Sequence, residues 1–160
     1  MRFRHEQHYD APPAEVHAML ADESFRAQVT DAQGARTSTV DITPDGDAMT
    51  VRVDQTRGSE GIPAFAQKIV GDSIRIVQVE TWADASEAAL DVTIPGKPGR
   101  LIGTIKLAAD GSGAVKVVDG DLRVNVPLLG GKLERLVADL LGAALDQEGQ
   151  VGKTWLAGRD

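Results

Sequence analysis

From Leu129 to Trp155, apolar residues recur at spacings of three and four: Leu129, Leu133, Leu136, Val137, Leu140, Leu141, Ala144, Val151 and Trp155. One gap interrupts the series, at Asp146–Gln150. That period is one face of an α-helix, and Lys132, Arg135, Asp139, Asp146 and Lys153 fall mostly elsewhere. A stripe this long must be buried against another element, so the rest of the chain has to supply an apolar surface for it. The preceding "VNVPLLGG" ends a β-like run at Pro127 and brings Gly130 and Gly131 to the helix start. Proline ends a strand ladder, and glycine lets backbone pass close to a neighbouring element.

The partner surface reads as strands. Arg2–Tyr9 alternates with a period of two, placing Phe3, His5, Gln7 and Tyr9 on one side. "DAPPAEVHAML" then predicts a short helix with Asp10 as N-cap, and Asp22 caps a second one through Val29. Strand patterns follow at Ala35–Thr43, Ala48–Gln55, Ser73–Trp82, Glu87–Ile94, Arg100–Ala108 and Ala114–Val126, separated by turn segments such as "TPDGD", "PGKPG" and "ADGSG". "TRGSEGIPAFAQ" reads as an irregular connection able to fold over an opening. In the last strand Val115 and Val117 give way to Val118, Leu122 and Val124, a phase slip that predicts a bulge near Asp119–Gly120. Short connections imply an antiparallel sheet, and the fold class is α+β: about seven curved antiparallel strands around the long terminal helix, with two short helices after the first strand. No linker or repeat divides the 160 residues, which predicts one domain over 1–160.

Composition narrows the function classes. The formal net charge is −7, which argues against a nucleic-acid partner, since phosphate binding needs clustered Lys and Arg. There is no cysteine, so disulfides, thiolate metal sites and cysteine nucleophiles are excluded. No apolar run reaches the roughly 18 residues of a membrane span, and the N-terminus carries no apolar signal segment, so the expected location is cytoplasmic.

The motifs that suggest chemistry fail on spacing. "LLGGKLE" resembles a phosphate loop, but Val126 stands where its first glycine belongs and Leu133 where Ser or Thr would bind magnesium. "HEQH" at His5–His8 is one residue short of the zinc-binding H-E-x-x-H, and on a strand its histidines face opposite sides. "DGSG" is a hairpin turn with no nucleophile-elbow spacing. No catalytic residue, metal site or cofactor is therefore assigned. "IRIVQVETW" is open: either Val77 and Val79 point inward, or Gln78, Glu80 and Trp82 do. In the second case a buried carboxyl would have its pKa raised by desolvation, and an enzyme of cyclase or hydrolase type could use Glu80 as its acid.

The element order resembles the helix-grip fold of the START-like superfamily (SRPBCC, or birch-pollen-allergen-like). More narrowly, "FRHEQHYDAPPAEVHAMLAD", "VQVETW" and "GDLRVNVPLLGGKLERLVADLL" resemble a mostly actinobacterial family of that superfamily known only as a domain of unknown function. The resemblance implies an apolar cavity between sheet and helix, in a superfamily that includes lipid-transfer proteins, hormone binders, and polyketide cyclases and aromatases. The expected partner is thus a hydrophobic small molecule, lipid or polyketide-like, with a filled, non-binding interaction module as the remaining alternative. Candidate ligand-binding residues are Met49, Val51, Gln78, Glu80, Trp82, Leu90, Val92, Leu122, Val124, Leu133, Val137, Leu140 and Leu141, with His5 and Arg123 as further polar anchors. If the helix stripe faces the sheet throughout, Leu140→Ala removes a core side chain at ~2–5 kcal/mol.

Overall fold

The computed structural model describes residues 1–158. Seven antiparallel strands form one sheet: β1 (Arg2–Tyr9), β2 (Ala35–Asp45), β3 (Ala48–Gly58), β4 (Ser73–Trp82), β5 (Glu87–Thr93), β6 (Gly99–Asp110) and β7 (Gly113–Val124). Their order is β1-β7-β6-β5-β4-β3-β2, so the first strand closes against the last and the remaining neighbours are consecutive in sequence. Helices α1 (Pro13–Leu20) and α2 (Glu23–Ala32) link β1 to β2, α3 (Ala64–Val70) links β3 to β4, and α4 (Gly130–Ala157) ends the chain. This is the helix-grip architecture.

Several local expectations are corrected. Asp10 does not cap α1: Pro12 holds the N-cap position with no side-chain hydrogen bond. Asp22 does cap α2, its Oδ1 accepting from the Ser24 N–H at 2.8 Å. The "irregular" connection contains α3, begun after Pro63, whose fixed φ suits a helix start. No bulge occurs near Asp119–Gly120, because β7 keeps an unbroken register with both β1 and β6. The apparent slip arises because Lys116 and Gly120 occupy inward positions that do not look apolar. Gly120 lies opposite Gly103, where a Cβ on Gly103 would sit 2.0 Å from the Asp119 carbonyl oxygen. The one register shift lies elsewhere, between Ala35 and Thr37.

The inward face carries the main core, including Phe3, Tyr9, Met49, Val51, Trp82, Leu101, Ile105 and Leu122, together with Val16, Met19, Leu20 and Phe25 from α1 and α2. The outer face carries arginine–aspartate pairs such as Arg2–Asp119, Arg75–Asp54 and Arg100–Asp91. Exposed pairs of this kind add little stability.

Helix α4 packs chiefly against β1, β7, α2 and α1. Its C-terminal half packs tightly: a Cβ at Gly152 would lie 2.6 Å from Cε1 of Tyr9. The gap in the stripe at Asp146–Gln150 is therefore a contact region, where Glu148 and Gly149 are buried. Farther toward the N-terminus the stripe is only partly covered. Leu133 is buried, whereas Leu140 is 44% exposed, which corrects the expectation that Leu140 is a core side chain. Leu128, just before α4, is wholly exposed and has a left-handed φ of 67°.

Candidate functional site: a cavity between sheet and helix

Between the inner face of the sheet and the N-terminal two-thirds of α4 lies a cavity of about 170 Å³. Its sheet wall includes Ile76, Leu90, Val92, Leu101, Val118, Leu122 and Val124, and its helix wall includes Leu133, Leu136, Val137, Leu140 and Leu141. Ile62, Ala66, Ile69 and Val70 bring the segment around α3 against it, as does the 97–100 turn between β5 and β6. The connection between β3 and β4 thus folds over the cavity. An apolar cavity of about 150 Å³ is enough to stay dry and admit a benzene-sized guest.

Nine of the thirteen candidate residues line this space: Gln78, Leu90, Val92, Leu122, Val124, Leu133, Val137, Leu140 and Leu141. Met49, Val51, Glu80 and Trp82 do not. They are inward-facing, but they lie toward the opposite end of the sheet, in the core shared with α1 and α2. The Trp face of β4 therefore points inside, which settles the orientation the sequence left open. The two further anchors are also misplaced. Arg123 is on the outer face with Asp121, and His5 faces Asp146 at 3.0 Å in a geometry that is not a hydrogen bond.

Glu80 has a different role from the one its burial suggested. Its carboxylate has zero exposure and accepts a two-pronged contact from Arg26, Nη1 to Oε2 and Nη2 to Oε1, both at 2.8 Å. Trp82 Nε1 donates to Oε1 at 2.9 Å and Gln78 Nε2 to Oε2 at 2.5 Å. Arg26 is itself steered by the Leu20 carbonyl, which accepts from its Nε at 2.8 Å. Burial by itself raises a carboxyl, but the adjoining guanidinium outweighs it and holds Glu80 at about 2. An acid this strong is ionised at neutral pH and saturated with donors, so Glu80 is not a proton donor. His17 stacks edge-on against Trp82 at 5.3 Å, and burial followed by the Arg26 charge lowers its pKa.

The cavity holds polar residues that sequence reasoning missed. Lys116 of β7 and Glu148 of α4 form a buried ion pair across sheet and helix. Gln33, Gln55 and Arg57 form a second polar group. Arg57 Nε donates to Gln55 Oε1 and Nη2 to Gln33 Oε1, both at 2.9 Å. Gln33 in turn donates from Nε2 to the Ala144 carbonyl of α4 at 2.9 Å. The signal for Gln55 and Arg57 was present: Met49, Val51, Val53, Gln55 and Arg57 continue one period of two along β3. Gln33 gave none, because the turn after α2 brings it in.

Comparison with known proteins agrees with this architecture. Residues 4–156 match the family described as "Protein of unknown function (DUF2505)". The chain belongs to that family. Over 118 residues it is 25% identical to the uncharacterized protein Rv0481c of Mycobacterium tuberculosis strain H37Rv, covering 70% of this chain and 67% of that one. Among solved structures, TTHA0849 from Thermus thermophilus superimposes with a TM-score of 0.67 at 19% identity over the full length of both chains. Ara h 8.0201 gives 0.60 at 12% identity, covering 94% of this chain and 97% of that one. The di-domain ARO/CYC StfQ from the steffimycin biosynthetic pathway gives 0.64 at 11% identity, over 96% of this chain and 50% of that one. These likenesses establish a shared fold between this DUF2505 member and those proteins. Among the described residues no helix is long and apolar enough to cross a membrane.

Proposed function

We propose that this protein binds a hydrophobic small molecule, a lipid or polyketide-like compound, in the cavity between the sheet and α4. One observation carries the reading: leucine and valine side chains on both walls face about 170 Å³ of space rather than each other. Core side chains normally interdigitate at crystal-like density, and unfilled space forfeits dispersion contacts on every wall. A guest restores those contacts and removes apolar surface from water, at roughly 25 cal/mol per Å². An ARO/CYC protein of a biosynthetic pathway is among the proteins of this fold, which supports the polyketide-like side of the reading.

The test combines native mass spectrometry of protein purified from its host with titration of the apolar dye N-phenyl-1-naphthylamine. The expected result is a co-purifying small-molecule mass and dye fluorescence that Val92→Trp, which fills the cavity, abolishes. No adduct, together with dye fluorescence indifferent to Val92→Trp, would refute the reading.

A further inference from the structure

Three charged groups are turned toward the interior of the sheet, and two of them are neutralised by the protein itself. Glu80 has Arg26, and Lys116 has Glu148. Arg57 differs. It is half-buried in the cavity wall, its two protein hydrogen bonds end on neutral amide oxygens, and no carboxylate lies within ion-pair distance among the described residues. Its Nη1 donates to no acceptor among those residues. The amides cannot rotate to help, because Gln33 Nε2 is tied to the Ala144 carbonyl and Gln55 Nε2 donates to Gln33 Oε1. Both therefore present oxygen to the guanidinium and hold it in place.

The position of Arg57 is also specific. It pairs with Ile74 near the start of β4, next to the chain leading into α3, at the end of the sheet where the 97–100 turn also meets the cavity. The apolar walls run inward from there. Burying a charge without a counter-charge is costly, and the desolvation is visible in the lowered pKa of Arg57.

We propose that the guest is an amphipathic monoanion whose carboxylate pairs with Arg57 while its hydrocarbon body lies along Leu90, Val92, Leu122 and Leu141. This rests on the cavity reading above and adds the chemistry of the head group. A single negative charge balances Arg57, the half-buried cation of the wall, whereas the second charge of a phosphate dianion would have only Lys97, which also lines the cavity but is exposed to solvent. Guanidinium–carboxylate pairing is short, directional and roughly twice as strong as a neutral hydrogen bond.

Isothermal titration with octanoate, octyl phosphate and octan-1-ol tests the proposal on the wild-type protein and on Arg57→Gln. The wild type is expected to bind octanoate at least about tenfold more tightly than octan-1-ol and more tightly than octyl phosphate, which corresponds to about 1.4 kcal/mol or more for the alcohol comparison. Arg57→Gln should lose that preference while keeping its affinity for the alcohol. Should Arg57→Gln fail to fold, the Arg57 Nε–Hε resonance of the wild type provides the readout, shifting with octanoate and not with octan-1-ol. Equal wild-type affinity for acid and alcohol, a preference for the phosphate, or a preference that survives in Arg57→Gln overturns the monoanion proposal and leaves the cavity reading standing. Binding of none of the three probes overturns both.

Discussion

Replacing Glu80 with glutamine tests whether the buried carboxylate is a structural clamp. Glu80→Gln keeps the shape but removes the charge, leaving the Arg26 guanidinium buried with a neutral acceptor. Breaking a buried pair from one side destabilises by about 3–5 kcal/mol. A second route to the magnitude uses linkage. A carboxyl with an ordinary value of 4.5 that is held at about 2 in the folded state contributes on the order of 3 kcal/mol at neutral pH. The sign follows from the direction of the shift. As pH falls, the unfolded chain takes up its proton first, so the contribution is fully present above about 4.5 and is lost as pH falls through about 2. Guanidinium denaturation of wild type and variant at pH 7, 4 and 2.5 measures it. The expected gap is several kcal/mol at pH 7 and narrows steadily below pH 4.5, since other carboxyls cancel between the two proteins. The double variant Arg26→Met/Glu80→Leu should recover most of the loss, because it removes both charges. A gap under about 1 kcal/mol at pH 7, or one independent of pH, refutes the clamp.

The α4 stripe predicts unequal costs along its length: Leu133→Ala should lose about 2–5 kcal/mol, and Leu140→Ala no more than about 1 kcal/mol because Leu140 is half in solvent, both read from denaturation midpoints. Gly152→Ala should lower thermal stability by about 1–3 kcal/mol, since its Cβ would press on the buried Tyr9 ring and on Met19 Cε at 3.2 Å. A thermal midpoint within 1 °C of wild type would show that the helix can shift away from β1. Leu128→Gly should stabilise by up to about 1 kcal/mol, as it relieves a left-handed φ at a side chain with no contacts to lose. A loss of stability in calorimetry would mean that Leu128 has a partner.

The sheet, the terminal helix and nine cavity residues were legible because each shows its period in the chain itself. Alternation in Ala48–Gln55 and the three-and-four spacing after Leu129 are local signals of which face is apolar. What was illegible depends on partners distant in sequence. Nothing around Glu80 indicates that Arg26, fifty-four residues earlier, will meet it, so its burial suggested a raised pKa when the pair lowers it. The same holds for Lys116, whose inward position seemed a break in phase because Glu148 was unseen. Leu140 was misjudged for a geometric reason: α4 rests on β1, β7 and the two early helices, and the cavity lies between it and the middle strands.

The two polar ends of the interior differ in what meets the inward charge. At the end held by α1 and α2, helix residues reach the sheet, so Arg26 arrives at Glu80 and excludes space along with charge. At the opposite end α3, the 97–100 turn and the first turns of α4 line the cavity, and the one residue that α2 sends to Arg57 is the neutral Gln33, so no acid reaches the guanidinium among the described residues. Both strands place a charged residue inward by the same alternation, Glu80 on β4 and Arg57 on β3. Whether such a residue becomes part of the core or part of a binding wall depends on whether the element covering it brings a counter-charge. Transplanting a carboxylate to α3 is the corresponding perturbation. Ala66→Glu would put an acid on the cavity wall that Arg57 also lines, and dye displacement by octanoate should weaken at least about tenfold while displacement by octan-1-ol changes little. Unchanged octanoate displacement would show that the charge balance at this end does not govern what the cavity accepts.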